Sequence, residues 1–185
     1  IGIAKPRLIA SLSHSALVIG TLCLMANFIW PSSVLTITTS FFLVLGLGLY
    51  IAAVIWVLHK KLSQGDSIIG FRLAILLFLL ALLLGILLLN QSLSLLIDFS
   101  AINAYFVGKS MTNSHALFGL VGWASLLIIS VSFQVIPLFH VAPSFPKTIS
   151  HYLPSGIFIL VILTVFHLEA VMPFIILMHG LFAIT

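Results

Sequence analysis

The sequence predicts an all-α protein, a polytopic bundle of transmembrane helices with five spans and a truncated sixth. Hydrophobic residues make up 62% of the 185 residues and charged residues only 5%, whereas soluble domains carry about 25% charged residues. The apolar residues also form repeated runs of about 20, the length that an α-helix needs to cross the hydrocarbon core. The lipid bilayer is therefore the expected solvent of most of this chain.

Turn or polar residues separate the apolar runs and set the expected boundaries. One transmembrane domain is expected over residues 1–185, with spans at about 8–30, 34–58, 68–89, 115–139, 155–168 and 171–185. The mixed stretch from Leu93 to Ser114 predicts an interfacial segment, and any one of its last three residues could cap the N-terminus of the fourth helix. The run from Phe174 to Thr185 is too short to span a bilayer, so we expect this chain to be a fragment of a larger protein.

The lysines and arginines predict an orientation. If the N-terminus is cytoplasmic, six of the seven lie on the cytoplasmic side, as the positive-inside rule requires. The six are Lys5, Arg7, Lys60, Lys61, Arg72 and Lys147, and the seventh is Lys109. The formal net charge of +4 thus comes from single loop residues and forms no basic patch, which argues against nucleic acid as a partner.

Small residues predict which helix faces pack on protein. On the first span they recur at alternating spacings of three and four, a stripe formed by Ser13, Ala16, Gly20, Cys23 and Asn27. Such stripes line helix contacts in membranes. Gly85 stands among the leucines of the third span, and this leucine-rich composition predicts a position at the lipid-facing periphery.

Histidines are the candidate ligands of this chain. There are seven, against ten formally charged residues, and polar groups inside a membrane span are costly. A neutral imidazole can bind haem iron or copper; alternatively, each ring only forms a hydrogen bond between helices. Four histidines lie within spans or at their ends: His14, His115, His167 and His179. The last three of these are expected to share the outer half of the bilayer. The other three, His59, His140 and His151, lie in or beside loops.

His115 carries the most specific pattern. Gly119 and Gly122 follow it on the same expected helix face, where glycines let a flat macrocycle or another helix approach the backbone closely. We therefore expect a cofactor-binding set and a metal-ligand set. The first comprises His115, Gly119, Gly122, His167 and His179, and the second comprises His115 and His14.

About 30 residues from His115 onward resemble a known family. His115, the stretch Val131 to Phe139 and the proline-rich Pro143 to Pro146 are similar to a signature of bacterial multi-span proteins distantly related to the catalytic subunit of haem-copper oxidases. The resemblance implies a longer parent in a bacterial inner membrane, a haem or copper ligand at His115, and a role in respiratory redox chemistry or metal handling.

The sequence departs from that family at points that matter. Members often carry a second histidine two places after the first, where this chain has Leu117. Adjacent histidines and a His-x-x-x-Tyr pair, which the oxidases need for copper, do not occur in the sequence. Oxygen reduction is therefore not expected, and the sequence offers no catalytic residue.

Other functions are weighed against this one. The single cysteine, Cys23, excludes an internal disulfide and a cysteine zinc cluster, and no phosphate-binding glycine loop or nucleophile motif occurs. The main alternative is a cofactor-free structural or assembly subunit of a larger membrane complex, whose histidines tie helices together. In either case the expected partners are the bilayer and other membrane subunits or the remainder of the same chain.

Overall fold

The computed structural model describes residues 5–60, 66–90, 109–141, 143–164 and 169–184, and within these ranges every regular element is helical. The helices are α1 (Pro6–Ile29), α2 (Ser33–Lys60), α3 (Asp66–Asn90), α4 (Lys109–Ala116), α5 (Ser125–His140), α6 (Lys147–Leu163) and α7 (Met172–Ala183). A π-helix, Leu117–Ala124, joins α4 to α5, and a 3₁₀ turn, Glu169–Val171, precedes α7. The predicted all-α class of membrane type is confirmed.

Four of the described helical stretches are long and apolar enough to cross a membrane. They are Pro6–Ile29, Ser33–His59, Ser67–Asn90 and Met111–His140. The helices α6, with 17 residues, and α7, with 12 residues, are apolar but shorter. The chain is therefore an integral membrane protein, while the exact number of spans stays a prediction.

The chain divides into two compact units, and α3 contributes to both. The first unit comprises residues 1–61 and 82–111, and its largest helix contact joins α1 to α2. The second comprises residues 62–81 and 112–185, and it contains α6, α7 and the helix that runs from α4 through the π-helix into α5.

Polar side chains fasten α1 to α2 along the predicted small-residue stripe. Ser13 is buried, and its Oγ donates a hydrogen bond to the backbone carbonyl of Gly46 at 2.8 Å. Asn27 Nδ2 donates to Thr36 Oγ1 at 3.2 Å near the other end of the pair. The prediction that this stripe faces protein is confirmed.

The predicted lipid-facing position of α3 is wrong for one face of the helix, while Leu76 and Leu83 elsewhere on it are exposed. Its side chains at Ala74 and Leu77 are fully buried in the second unit, and a Cβ added to Gly70 would collide with Ser130 Oγ on α5. The reason is a row of small residues that the prediction overlooked. Its members, Ser67, Gly70, Ala74 and Ala81, recur on one helix face at spacings of three, four and seven.

Two helices begin earlier than expected. The fourth span starts at Lys109 and not at His115, because the polar residues before the histidine continue the helix and Ser114 is buried against protein. The expected interfacial segment therefore ends in helix, and its part from 93 to 108 lies outside the described residues. The fifth helix starts at Lys147, eight residues before the expected start at position 155, and contains Pro154 in its interior.

Candidate functional site around His115

The imidazole of His115 is fixed by the helix that packs beside it. The ring is half-buried near the end of α4, and its Nδ1 lies 2.8 Å from the backbone oxygen of Ala81 on α3. A carbonyl oxygen can only accept a hydrogen bond, so in the neutral ring Nδ1 carries the hydrogen. Nε2 then carries the lone pair, which is the form in which histidine binds a metal.

Nε2 of His115 has no hydrogen-bond partner within the described part of the chain. One nitrogen sets the orientation of the ring, and the other is free to act as an acceptor or as a ligand. The carbonyl partner could not have been foreseen, because any residue of α3 offers the same backbone oxygen.

The backbone after His115 is a π-helix of eight residues, Leu117–Ala124. π-helical turns are rare and occur frequently at functional sites. They also turn less per residue than an α-helix, so side chains after His115 do not follow the α-helical faces that the sequence analysis assumed.

The two predicted glycines accordingly differ in their surroundings. A Cβ added to Gly122 would lie 2.7 Å from Leu77 Cδ1, so this glycine allows α3 to pack closely. A Cβ added to Gly119 would meet no atom within 4 Å. Gly122 therefore serves helix packing, whereas open space lies beside Gly119, about one turn along from His115.

A second unpaired polar group lies on the same helix. The indole of Trp123 stacks on Phe78 of α3, with ring centroids 4.3 Å apart and an angle of 15° between the planes. Its Nε1–H is buried and has no acceptor among the residues described. A buried donor without a partner costs about 1 to 3 kcal/mol, so this N–H is a place where a ligand's acceptor atom would be stabilising.

His179 is engaged at both nitrogens. Its Nδ1 lies 2.8 Å from the backbone oxygen of Ile175 on its own helix, and its Nε2 lies 2.6 Å from Ser125 Oγ on α5. The carbonyl again assigns the hydrogen to Nδ1, so the serine hydroxyl donates to Nε2. A metal bond at Nε2 would have to replace that hydrogen bond.

His115 and His179 lie at different levels along the helix that runs from α4 into α5. Ser125, which holds His179, follows His115 by ten residues on one continuous helix, which corresponds to roughly 10 Å or more of axial rise. A bond from imidazole to a metal is about 2 Å long. This spacing argues against one ion bound by both rings. Ser125 is a hydrogen-bond partner of His179 that the sequence did not predict.

The remaining predicted ligands are placed as follows. His14 is exposed on α1 and belongs to the first unit, and His167 lies outside the described residues. Within the described ranges, no group of three or more His, Cys, Asp or Glu side chains is arranged to hold a metal ion. His140, expected in or beside a loop, is exposed at the end of α5.

The proline-rich motif of the resemblance has a packing role in the second unit. Phe145 lies in the segment between α5 and α6, and its ring is 5.2 Å from that of Phe133 and 6.2 Å from that of Phe182. Aromatic pairs at such distances stabilise a fold without any cofactor. This part of the motif is therefore accounted for by helix packing alone.

Comparison with known proteins gives no significant match to a family model, to a curated protein or to a solved structure. The fold defines the class of this chain as an all-helical integral membrane protein.

Proposed function

We propose that this protein binds haem or copper within the membrane through His115 Nε2, and that it acts in respiratory redox chemistry or metal handling. The observation that supports the proposal is the combination of a ring fixed at Nδ1 by Ala81 with an Nε2 that has no partner among the described residues. The open space beside Gly119 offers room for a flat ligand on the same helix.

Haem fits these residues better than a copper ion does. Haem iron can be held by one protein histidine, since the macrocycle supplies four further bonds. A copper ion needs several protein ligands, and in the described part of the chain His115 has no such companions. The chain's own contribution would be to bind the iron at Nε2 and to fix the ring through Ala81.

Orientation and location complete the proposal. The N-terminus lies on the cytoplasmic side, because six of the seven Lys and Arg residues then fall on that side. The bacterial inner membrane is what the resemblance of the residues from His115 onward implies. Other membrane subunits or further parts of the same chain are its proposed partners. The exposed imidazole of His14 on a membrane helix supports such a partner, since polar groups at that depth rarely face lipid.

The test is the reduced-minus-oxidised absorption spectrum of the protein purified from its native membrane, together with its copper content. We expect a haem Soret band or stoichiometric copper. His115→Ala should abolish that signal while the protein remains inserted, and His140→Ala, which removes an exposed imidazole, should leave it unchanged. A signal that survives His115→Ala would refute the ligand assignment.

Two matched glycine substitutions separate loss of the ligand from a general loss of stability. Gly119→Leu fills the space beside the proposed ligand, and Gly48→Leu introduces the same side chain at a glycine of α2 that also has nothing within 4 Å. Only Gly119→Leu should lower the cofactor content. An equal content in both variants would show that no ligand occupies the space.

A cofactor-free structural subunit is the second candidate, and the saturation of His179 by Ser125 and Ile175 favours it. In that case His115 would also be only a link between helices. Its change to alanine would then cost about 1 kcal/mol of hydrogen bonding and alter no spectrum. A protein that carries neither haem nor copper, and that takes up neither when they are supplied, would establish this alternative.

A further inference from the structure

An apolar groove of about 320 Å³ lies between the first turns of α1 and the last turns of α2. Its lining includes Pro6 and Ile9 from α1 and Ala53, Val57 and Leu58 from α2. Because the two helices are antiparallel, the groove lies at the end of the pair where α1 begins and α2 ends. Its volume is within the range of small-molecule binding sites.

Two basic side chains lie at one edge of the groove. Lys5 and Arg7 flank the lining residue Pro6, and both side chains are exposed. The described residues of this unit include no Asp or Glu. The first turn of α1 also lacks an acidic residue, so the positive end of its helix dipole adds to these charges.

We propose that this groove binds an anionic phospholipid, with one acyl chain between α1 and α2 and the phosphate beside Lys5 and Arg7. An acyl chain alone would not distinguish lipids, since all of them carry one. The basic rim supplies the selectivity, because basic pockets between membrane helices on the cytoplasmic side attract anionic head groups. This site is independent of the proposed cofactor at His115.

The first experiment measures lipid retained by the protein in native mass spectrometry after equilibration with mixed vesicles of phosphatidylglycerol and phosphatidylcholine. We expect preferential retention of phosphatidylglycerol. Arg7→Gln should lower the ratio of the two lipids about fivefold, the effect of one basic residue near a membrane surface, and adding Lys5→Gln should lower it further. Lys147→Gln removes an exposed charge from the second unit and should leave the ratio unchanged.

The second experiment tests the acyl-chain half of the site. Ala53→Leu fills the groove, whereas Ala52→Leu adds the same volume at an exposed neighbour that does not line it. We expect Ala53→Leu to lower retention of both lipids and Ala52→Leu to lower neither. Excess inorganic phosphate should not release the lipid, because a free phosphate cannot occupy the apolar groove.

Three results would overturn the proposal. Equal retention of the two lipids by the unchanged protein would show that the rim does not select charge. Loss of retention on adding phosphate would identify an anion site without a chain site. Unchanged retention of both lipids together with a change of oligomeric mass in Ala53→Leu would show that another protein helix covers the groove.

Discussion

Gly46 of α2 lies at a close contact with α1, and its replacement leads to a quantitative prediction. A Cβ added there would lie 2.8 Å from Leu17 Cγ and 3.0 Å from the backbone nitrogen of Leu17. The side chain of Leu17 can rotate away, but its backbone nitrogen moves only if α1 shifts as a whole. Gly46→Ala should therefore force the helices apart.

The matched change is Gly48→Ala on the same helix, where an added Cβ would meet nothing within 4 Å. Both changes gain helix propensity of up to about 1 kcal/mol. Only Gly46→Ala also introduces overpacking, which typically costs about 1 to 3 kcal/mol. The propensity gain cancels between the two variants, so Gly46→Ala should be less stable than Gly48→Ala by about 1 to 3 kcal/mol.

The single cysteine provides the assay. Cys23 is half-buried on α1, in the helix that would separate from α2, so its reaction with a thiol-reactive dye during heating in detergent reports unfolding of this pair. Gly46→Ala should react at a lower temperature than the unchanged protein, and Gly48→Ala at the same or a higher temperature. Equal midpoints for both glycine variants would refute the close backbone contact.

Two further predictions concern α3 and the orientation. Leu77→Ala should lower the free energy of unfolding by about 2 to 5 kcal/mol, as for other fully buried leucines. Leu83→Ala should be nearly neutral because that side chain is 52% exposed. Thermal unfolding of the two variants checks this, and equal losses of stability would contradict the burial of Leu77. Gln64→Cys and Asn103→Cys, each in a Cys23→Ser background, should be labelled by an impermeant reagent from opposite sides of the membrane, and labelling from one side would refute the predicted topology.

The apolar runs predicted much of the fold because a membrane-spanning helix is recognisable by its length and by its apolar composition. The stripe containing Ser13 and Asn27 was also predictable, since small and polar residues stand out in an apolar helix. The burial of α3 was missed for a related reason. Leucines dominate the composition of α3 and raise its mean hydropathy. The row of small residues that includes Gly70 and Ala74 can be recognised only from the spacing of those residues along the helix.

The candidate site was predictable in its side chain and not in its surroundings. His115 was identified because a polar imidazole inside a membrane span is energetically costly and often marks a functional site. The carbonyl of Ala81 carries no sequence signal, and the π-helix changes the faces on which Gly119 and Gly122 lie. Ser125 had a detectable signal, a hydroxyl in the middle of a span, but nothing in the sequence paired it with His179.

The two histidines of the second unit show what separates the two candidate functions. His179 accepts a hydroxyl hydrogen bond at Nε2 and donates from Nδ1, which satisfies the whole ring and leaves nothing for a ligand. His115 is satisfied at one nitrogen only within the described residues. Among the described side chains, the buried polar atoms without a partner do not include this nitrogen, so a structural role for His115 carries no cost for an unpaired buried acceptor. A structural role needs only the hydrogen bond from Nδ1 to Ala81, whereas a ligand role also needs Nε2 for the metal. For this reason the loss or persistence of a cofactor signal at His115, and not the stability of the bundle, decides between the two functions.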